Sequence, residues 1–441
     1  MKYPPVSDMP ESRALRNRYF AQRVSYAVAS SPRMSVSASS PTPARTLVSV
    51  LLCFLAAVLE GFDIQALGVA APRMAPELAL GAAQMGWLFA IGSIGILFGA
   101  SIGGRVADRY GRKPAFLGAV AVFGAFTLLM SVLSSFEGLF VARLIAGLGF
   151  GAALPNMMAL ATEISPPTRR ALTTAAMFCG LPVGGALCAS VTQWLPAGFD
   201  WRVLFQIGGI LPLLLVPAIA LWMVETYRPG SSPDESSPKK STSTSALMQA
   251  LFGQGRAVST LLIWTILAPT MLVLYLILNW LPTLVASKGL AVSIAPLASM
   301  WFNLGGVAGA LLLAPFVDRF GFRVPITLGF SGLVLALVGL SVAVTETHIL
   351  ALSAISGLLL MGSNYSLYAV AAACYPTESR GTGSGAAVAV GRVGSVIGPL
   401  FAGALLARGV SAETVILWLA PAAALAALAT WALGRSRGVA S

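Results

Sequence analysis

The chain of 441 residues is poor in charge and nearly devoid of histidine: 10% of its residues are charged, and His348 is its one histidine. That scarcity excludes histidine-rich metal centres and Ser/His catalysis within the apolar segments. The four cysteines, Cys53, Cys179, Cys188 and Cys374, lie in apolar stretches without a CxxC pair. They read as small core residues, not as a disulfide frame or metal site. Short alternating segments of the kind that build a membrane β-barrel are missing. Runs of GxGxxG type occur only inside apolar segments, with no strand before them, so no nucleotide cofactor is expected. Residues 1–45 are rich in Ser, Pro and Arg and lack the apolar core of a signal peptide. They read as a disordered cytoplasmic tail, with Met34 as an alternative start.

What the chain has in abundance is apolar length. Its hydrophobic fraction is 57% and its mean hydropathy +0.82. Apolar segments of about 20 residues, one bilayer crossing each, follow one another along most of it. Twelve spans are expected, at 46–71, 84–104, 114–134, 138–161, 171–195, 202–223, 257–284, 293–316, 324–344, 348–373, 384–407 and 411–434. Residues 225–256, which include SSPDESSPKKSTSTS, read as a flexible cytoplasmic linker between six-helix bundles at 46–224 and 257–434. Residues 435–441 form a short cytoplasmic tail.

The net charge of +12 would suit a nucleic-acid partner, but its placement argues otherwise. Lys and Arg concentrate in alternate loops: the tail, Arg105 to Lys113, Arg169/Arg170, the linker, Arg319/Arg323, Arg380 and Arg435/Arg437. The other loops hold Arg73, Arg202, Lys288 and Arg408. By the positive-inside rule both termini face the cytoplasm of a cell with an inner membrane. Insertion explains the basic excess, and no nucleic acid is implied.

Two acids break the first span, Glu60 and Asp63 in EGFD. A carboxylate at mid-bilayer costs about 2.5–3.5 kcal/mol, so such residues mark a pathway or a proton site. Three residues apart, they share one helical face. At 1.5 Å per residue, Glu60 lies roughly 21 Å from the cytoplasmic entry and Asp63 roughly 25 Å. Arg143 enters from the other face to a similar depth. Asp63 is expected to pair with Arg143, leaving Glu60 to titrate in proton coupling.

The halves repeat. Asp108-Arg109-Tyr110-Gly111-Arg112 follows the second span, and Asp318-Arg319-Phe320-Gly321 follows the eighth. Glu163 ends the fourth span as Glu378 and Arg380 end the tenth. GLPVGG in span five answers GSVIGP in span eleven. Such six-span repeats place a site between two bundles near the midplane.

The loop GGRVADRYGRKP (Gly103–Pro114), its weaker copy at Asp318 and RLIAGLGFG in span four resemble the major facilitator superfamily. The resemblance covers about Arg45 to Arg435 and implies an all-α membrane fold of two pseudo-symmetric six-helix bundles. Within it, EGFD resembles the DGFD of the aromatic acid:proton symporters. ALPN (Ala153–Asn156), CGLPVGG (Cys179–Gly185), NWLP (Asn279–Pro282) and AVAVGRVG (Ala387–Gly394) look closest to (3-hydroxyphenyl)propionate transporters. Glu60 departs from the usual Asp, with a longer arm and the same charge. The second-half loop departs too, with Phe322 after Gly321 and Arg323 displaced by one.

The resemblance implies a monomeric carrier of a small aromatic carboxylate and protons, with no cofactor or metal and no enzymatic activity. Arg392 in span eleven, roughly 12 Å from the cytoplasmic face and without an acid in its own span, suits the substrate carboxylate. Tyr275, Asn279, Trp280, Asn303, Asn364, Tyr365 and Tyr368 are candidates for the ring and a hydroxyl partner. Asp108, Arg109, Gly111, Arg112, Glu163, Asp318, Glu378 and Arg380 read as a cytoplasmic gate, with Asp108 paired to Arg112. A benzoate-type symporter and a drug:proton antiporter of the same fold are the alternatives. A membrane enzyme or sensor fits less well, because the linker is too short and polar for an output domain.

Overall fold

The computed structural model describes residues 43–165, 170–196, 198–226, 244–253, 255–291, 293–376 and 379–436. Within them the first bundle holds α1 (Pro43–Glu77), α2 (Ala82–Tyr110), α3 (Arg112–Met130), α4 (Phe136–Ile164), α5 (Arg170–Val191) and α6 (Arg202–Trp222). A short helix, α7 (Thr244–Phe252), leads into α8 (Ala257–Ala286), α9 (Ile294–Phe320), α10 (Arg323–Val342), α11 (Glu346–Ala373) and α12 (Arg380–Ala407). The last span is split into α13 (Ala412–Leu417) and α14 (Ala420–Leu433). Among the described residues, twelve helices or helix pairs are long and apolar enough to cross a membrane. The protein is a multi-pass α-helical membrane protein.

Several helices outrun the apolar segments that announce them. The first is expected at 46–71 but runs to Glu77, because its polar end finds partners off the helix. Glu77 accepts from Trp201 Nε1 at 2.7 Å and from Arg202 Nη1 at 2.6 Å. The last span breaks at Trp418–Leu419, where Pro421 lacks the N–H that would donate to the Leu417 carbonyl. Of the expected linker, residues 227–243 and 254 lie outside the described residues, and α7 falls in the remainder. In α7 Leu251 is buried, and its carbonyl accepts from Thr260 Oγ1 at 2.6 Å, which docks the helix on α8.

The two bundles repeat in detail. Ser135 caps α4 and Thr345 caps the equivalent α11, each with its hydroxyl accepting from a backbone N–H three residues on. The turn after α2 uses Gly111 at φ 101° and the turn after α9 uses Gly321 at φ 73°. Only glycine adopts such angles without strain, which explains why both loop copies keep it.

Twelve crossings return the chain to the face where it began, here termed the terminal face; the other is the far face. The bundles approach most closely in the far-face halves of their helices, where α2 meets α12, α5 meets α9 and α1 meets α8. Small residues permit it. A Cβ on Gly86 would stand 3.0 Å from the Pro399 carbonyl oxygen, and one on Gly403 2.8 Å from that of Ala82. Gly86→Leu is therefore expected to wedge α2 from α12 and open the far face. Spin labels at exposed Ala83 and Arg408 should report a longer separation in the variant, and an unchanged distance would refute this latch.

Candidate functional site

Glu60 and Asp63 share the α1 face that turns inward, and both are buried, at 3% and 0% exposure. Arg143 of α4 reaches Asp63, its Nη1 donating to Oδ2 at 3.1 Å. Gly92 on α2 makes room for that guanidinium: a Cβ there would stand 3.1 Å from Arg143 Nε. Asp63 thus has a partner of opposite charge. Glu60 has no hydrogen bond or ion pair among the described residues; the charges acting on it are those of Arg392 and Asp63.

Arg392 lies on α12, twelve residues beyond its start at Arg380. The guanidinium is not unpaired, as the sequence suggests, since Nη1 donates to the Tyr275 hydroxyl at 2.6 Å.

A cavity with about 640 Å³ of empty space lies between the bundles. Among its walls are Arg392, Tyr275, Asn303, Asn364, Tyr365 and Tyr368, all candidates from the sequence. Asn364 is 1% exposed and its Nδ2 has no hydrogen-bond partner. Asn303 is already engaged, donating to Gln65 Oε1 at 3.1 Å and to the Ser299 carbonyl at 2.8 Å.

Two other candidates stand outside this cavity. Trp280 donates Nε1 to the Pro399 carbonyl at 3.0 Å and meets Phe89 edge-on at 5.1 Å, so it clasps the bundles at the far side. Asn279 donates to the Tyr275 carbonyl at 2.6 Å and borders a smaller hollow beside Arg143.

Phe178 and Gln65 line the cavity and escaped the sequence reading. Phe178 stacks on Tyr368 at 5.7 Å and 7°, and meets Tyr365 at 5.6 Å with the rings tilted by 34°, across the bundle boundary on the terminal-face side. Gln65 donates to the Leu278 carbonyl at 2.9 Å. Gln65 was findable by the logic that marked Glu60, as a polar residue in the same span. Phe178 carries no such mark, because one aromatic among apolar neighbours reads as packing.

Arg112 pairs with Glu163 at 2.7 Å instead of Asp108, because α4 brings that carboxylate alongside the α2–α3 turn. Glu163 also accepts from Thr226 Oγ1 at 2.6 Å, and Glu225 accepts from the Arg112 and Lys113 backbone N–H groups. Arg112 and Glu163 both belong to the first bundle, and Glu225 and Thr226 open the linker that follows it. Asp108, Asp318 and Arg380 are exposed, and Arg109 lies over its neighbour Tyr110. Glu378 lies outside the described residues.

A sequence model described as Major Facilitator Superfamily matches residues 53–368 and 291–441. The chain belongs to the major facilitator superfamily. Among its relatives is the 3-(3-hydroxy-phenyl)propionate transporter of Escherichia coli K12, 38% identical over 91% of this chain and 97% of that protein. The 4-hydroxybenzoate transporter PcaK of Pseudomonas putida is 31% identical over 86% of this chain and 90% of its own length. The gallate transporter of the same species is 31% identical over 90% and 94%. Among solved structures, a D-xylose-proton symporter superposes with a TM-score of 0.70 at 18% identity, covering 89% of this chain and 98% of that one. That likeness supports the fold alone. This superfamily member is a transporter and not an enzyme.

Proposed function

We propose that this transporter carries an aromatic carboxylic acid, of the phenylpropionate type, into the cell together with a proton. The observation that carries the reading is Arg392, set in the wall of a cavity whose other lining groups are tyrosines, side-chain amides and apolar residues, with Glu60 as an electrostatic neighbour. A guanidinium grips a carboxylate with two parallel hydrogen bonds, and the tyrosines and Phe178 offer faces to a ring. Asn364 Nδ2, a buried donor without a partner, suits a ring hydroxyl. The named substrates of the relatives, hydroxyphenylpropionate, hydroxybenzoate and gallate, are aromatic acids and support the same class.

The energetics favour proton coupling. A carboxylic acid with a pKa of about 4 is an anion at neutral pH. Taking that anion into an inside-negative cell costs about 2.3 kcal/mol per 100 mV. One accompanying proton removes the cost and lets the pH gradient drive uptake. Glu60, lacking an ion-pair partner, is assigned to carry it, and Asp63 to hold Arg143. In this reading the terminal face is cytoplasmic, in line with its basic loops, and the cavity closed at the far face is the inward-facing state. The two bundles rock about the site as one monomeric unit.

The test is uptake by proteoliposomes of benzoates, phenylacetates and phenylpropionates under an imposed pH gradient, with Arg392→Lys beside the wild type. Acid-driven accumulation of an aromatic acid is expected. In Arg392→Lys, loss of the bidentate grip should weaken apparent affinity by about tenfold or more, as expected for a charged hydrogen bond worth roughly 1.5–3 kcal/mol. Failure of every aromatic acid to accumulate would overturn the reading, and unchanged affinity would remove Arg392 from the site.

A further inference from the structure

Tyr275 borders two compartments. In the large cavity its hydroxyl oxygen accepts from Arg392. It also borders a smaller hollow beside the ion pair, with room for about one water molecule. That hollow is walled by Arg143 and Gly92, by Ser93 and Asn279, and by Phe89 and Phe150. Arg143 Nε is buried there without a hydrogen-bond partner. A hollow bounded by a guanidinium, a hydroxyl and an amide is polar enough to bridge such groups through ordered water. Asn279 holds the Tyr275 carbonyl and so steadies the helical turn that carries the phenol. Tyr275 therefore joins the guanidinium assigned to the substrate with the chamber beside the guanidinium that holds Asp63.

We propose that Tyr275 is the positioning residue through which an occupied Arg392 is felt at the Arg143–Asp63 pair. The inference rests on the reading above, that Arg392 binds the substrate carboxylate. A carboxylate arriving at Arg392 takes over the Nη1 hydrogen bond that the phenol oxygen now accepts. One hydrogen bond breaks and another forms, with no covalent change. The released phenol oxygen then accepts, through the polar hollow, from Arg143. That loosens the hold of Arg143 on Asp63 and changes the field in which Glu60 gains and loses its proton. The titratable and charged groups facing this path are Glu60 and Asp63 from α1, Arg143 from α4, and Cys188 from α5. Tyr365 and Tyr368 join them from α11, and Arg392 from α12. Substrate binding and proton binding are thereby linked by a coupling free energy, which a group between the sites can remove without removing either site.

The test compares two measurements on proteoliposomes with 3-(3-hydroxyphenyl)propionate as the probe. One is exchange at equal substrate and equal pH on both sides, which needs substrate binding and conformational change but no net proton flux. The other is accumulation driven by a pH gradient. Tyr275→Phe deletes only the hydroxyl, and Ser93→Val fills the hollow from the opposite wall with no substitution in the substrate site. In Ser93→Val exchange is expected within about twofold of the wild type and accumulation lower by about tenfold, a loss within the span of coupling between sites; in Tyr275→Phe accumulation should fall by about tenfold more than exchange does. Equal losses in exchange and accumulation would make Tyr275 a simple binding residue and overturn the proposal. Retention of both would overturn it as well. A wild type that exchanges the probe but never accumulates it would overturn the proton-coupled reading instead, which separates the two failures.

Discussion

Glu60→Gln is expected to exchange an aromatic acid at close to the wild-type rate and to lose its accumulation against a gradient. Glutamine matches glutamate in volume and polarity, so the packing of α1 against its neighbours survives. What it lacks is an exchangeable proton. Each unit of pH gradient is worth about 1.36 kcal/mol per proton, close to a factor of ten. Electroneutral symport of one anion with one proton therefore supports about tenfold accumulation per unit. The variant should settle near onefold in the same proteoliposomes.

The prediction rests on an asymmetry between the two acids. Asp63 is held by Arg143 at 3.1 Å, whereas Glu60 has no ion pair among the described residues and lies in the field of Arg392. A carboxylate fixed by a buried guanidinium keeps its charge through the cycle, and one without such a partner is freer to gain and lose it. A substrate carboxylate on Arg392 would also place a second negative charge near Glu60, favouring protonation on the occupied carrier. Wild-type accumulation in Glu60→Gln would move the proton to Asp63 and reverse the assignment.

The second large effect is on stability. The Asp63 side chain is 0% exposed and that of Arg143 5%, so removing one leaves the other as an uncompensated charge inside the bundle. Breaking such a buried pair typically costs about 3–5 kcal/mol. Asp63→Asn should therefore lower the thermal unfolding midpoint of the purified protein sharply. The double variant Asp63→Asn, Arg143→Gln removes both charges and should recover most of the loss. The surplus over additivity measures the pair. If the single losses simply add in the double variant, the pair is not a coupled unit. Transport then separates two roles: a double variant that regains stability but not accumulation shows that the charges serve the proton path beyond tying α1 to α4.

Much of this molecule was legible in the sequence because a bilayer imposes few rules and the chain obeys them visibly. Apolar length announces each crossing, and the placement of Arg and Lys carries an orientation. Glu60, Asp63, Arg143 and Arg392 stood out because ionisable groups are costly where apolar runs surround them. The paired loops at Gly111 and Gly321 revealed the repeat, since both turns require positive φ. Helix ends were less legible. The end of α1 is stabilised by Trp201 and Arg202, residues far away in the chain.

Partner choice was decided by tertiary structure, because it depends on which faces of different helices meet. Arg112 turned to Glu163 and not to Asp108, and Arg392 reached Tyr275. Trp280 and Asn279 shared one aromatic-polar patch with the cavity residues in sequence, yet helical rotation aims them at the bundle contact and the small hollow. Phe178 became visible only once α5 and α11 stood side by side. The sequence by itself determined the number of crossings, the six-plus-six repeat and the buried charges, all of which follow from the cost of polarity in an apolar medium. Which charge meets which, and which rings share a cavity, came from rotation and contact between helices far apart in the chain, which local composition does not encode.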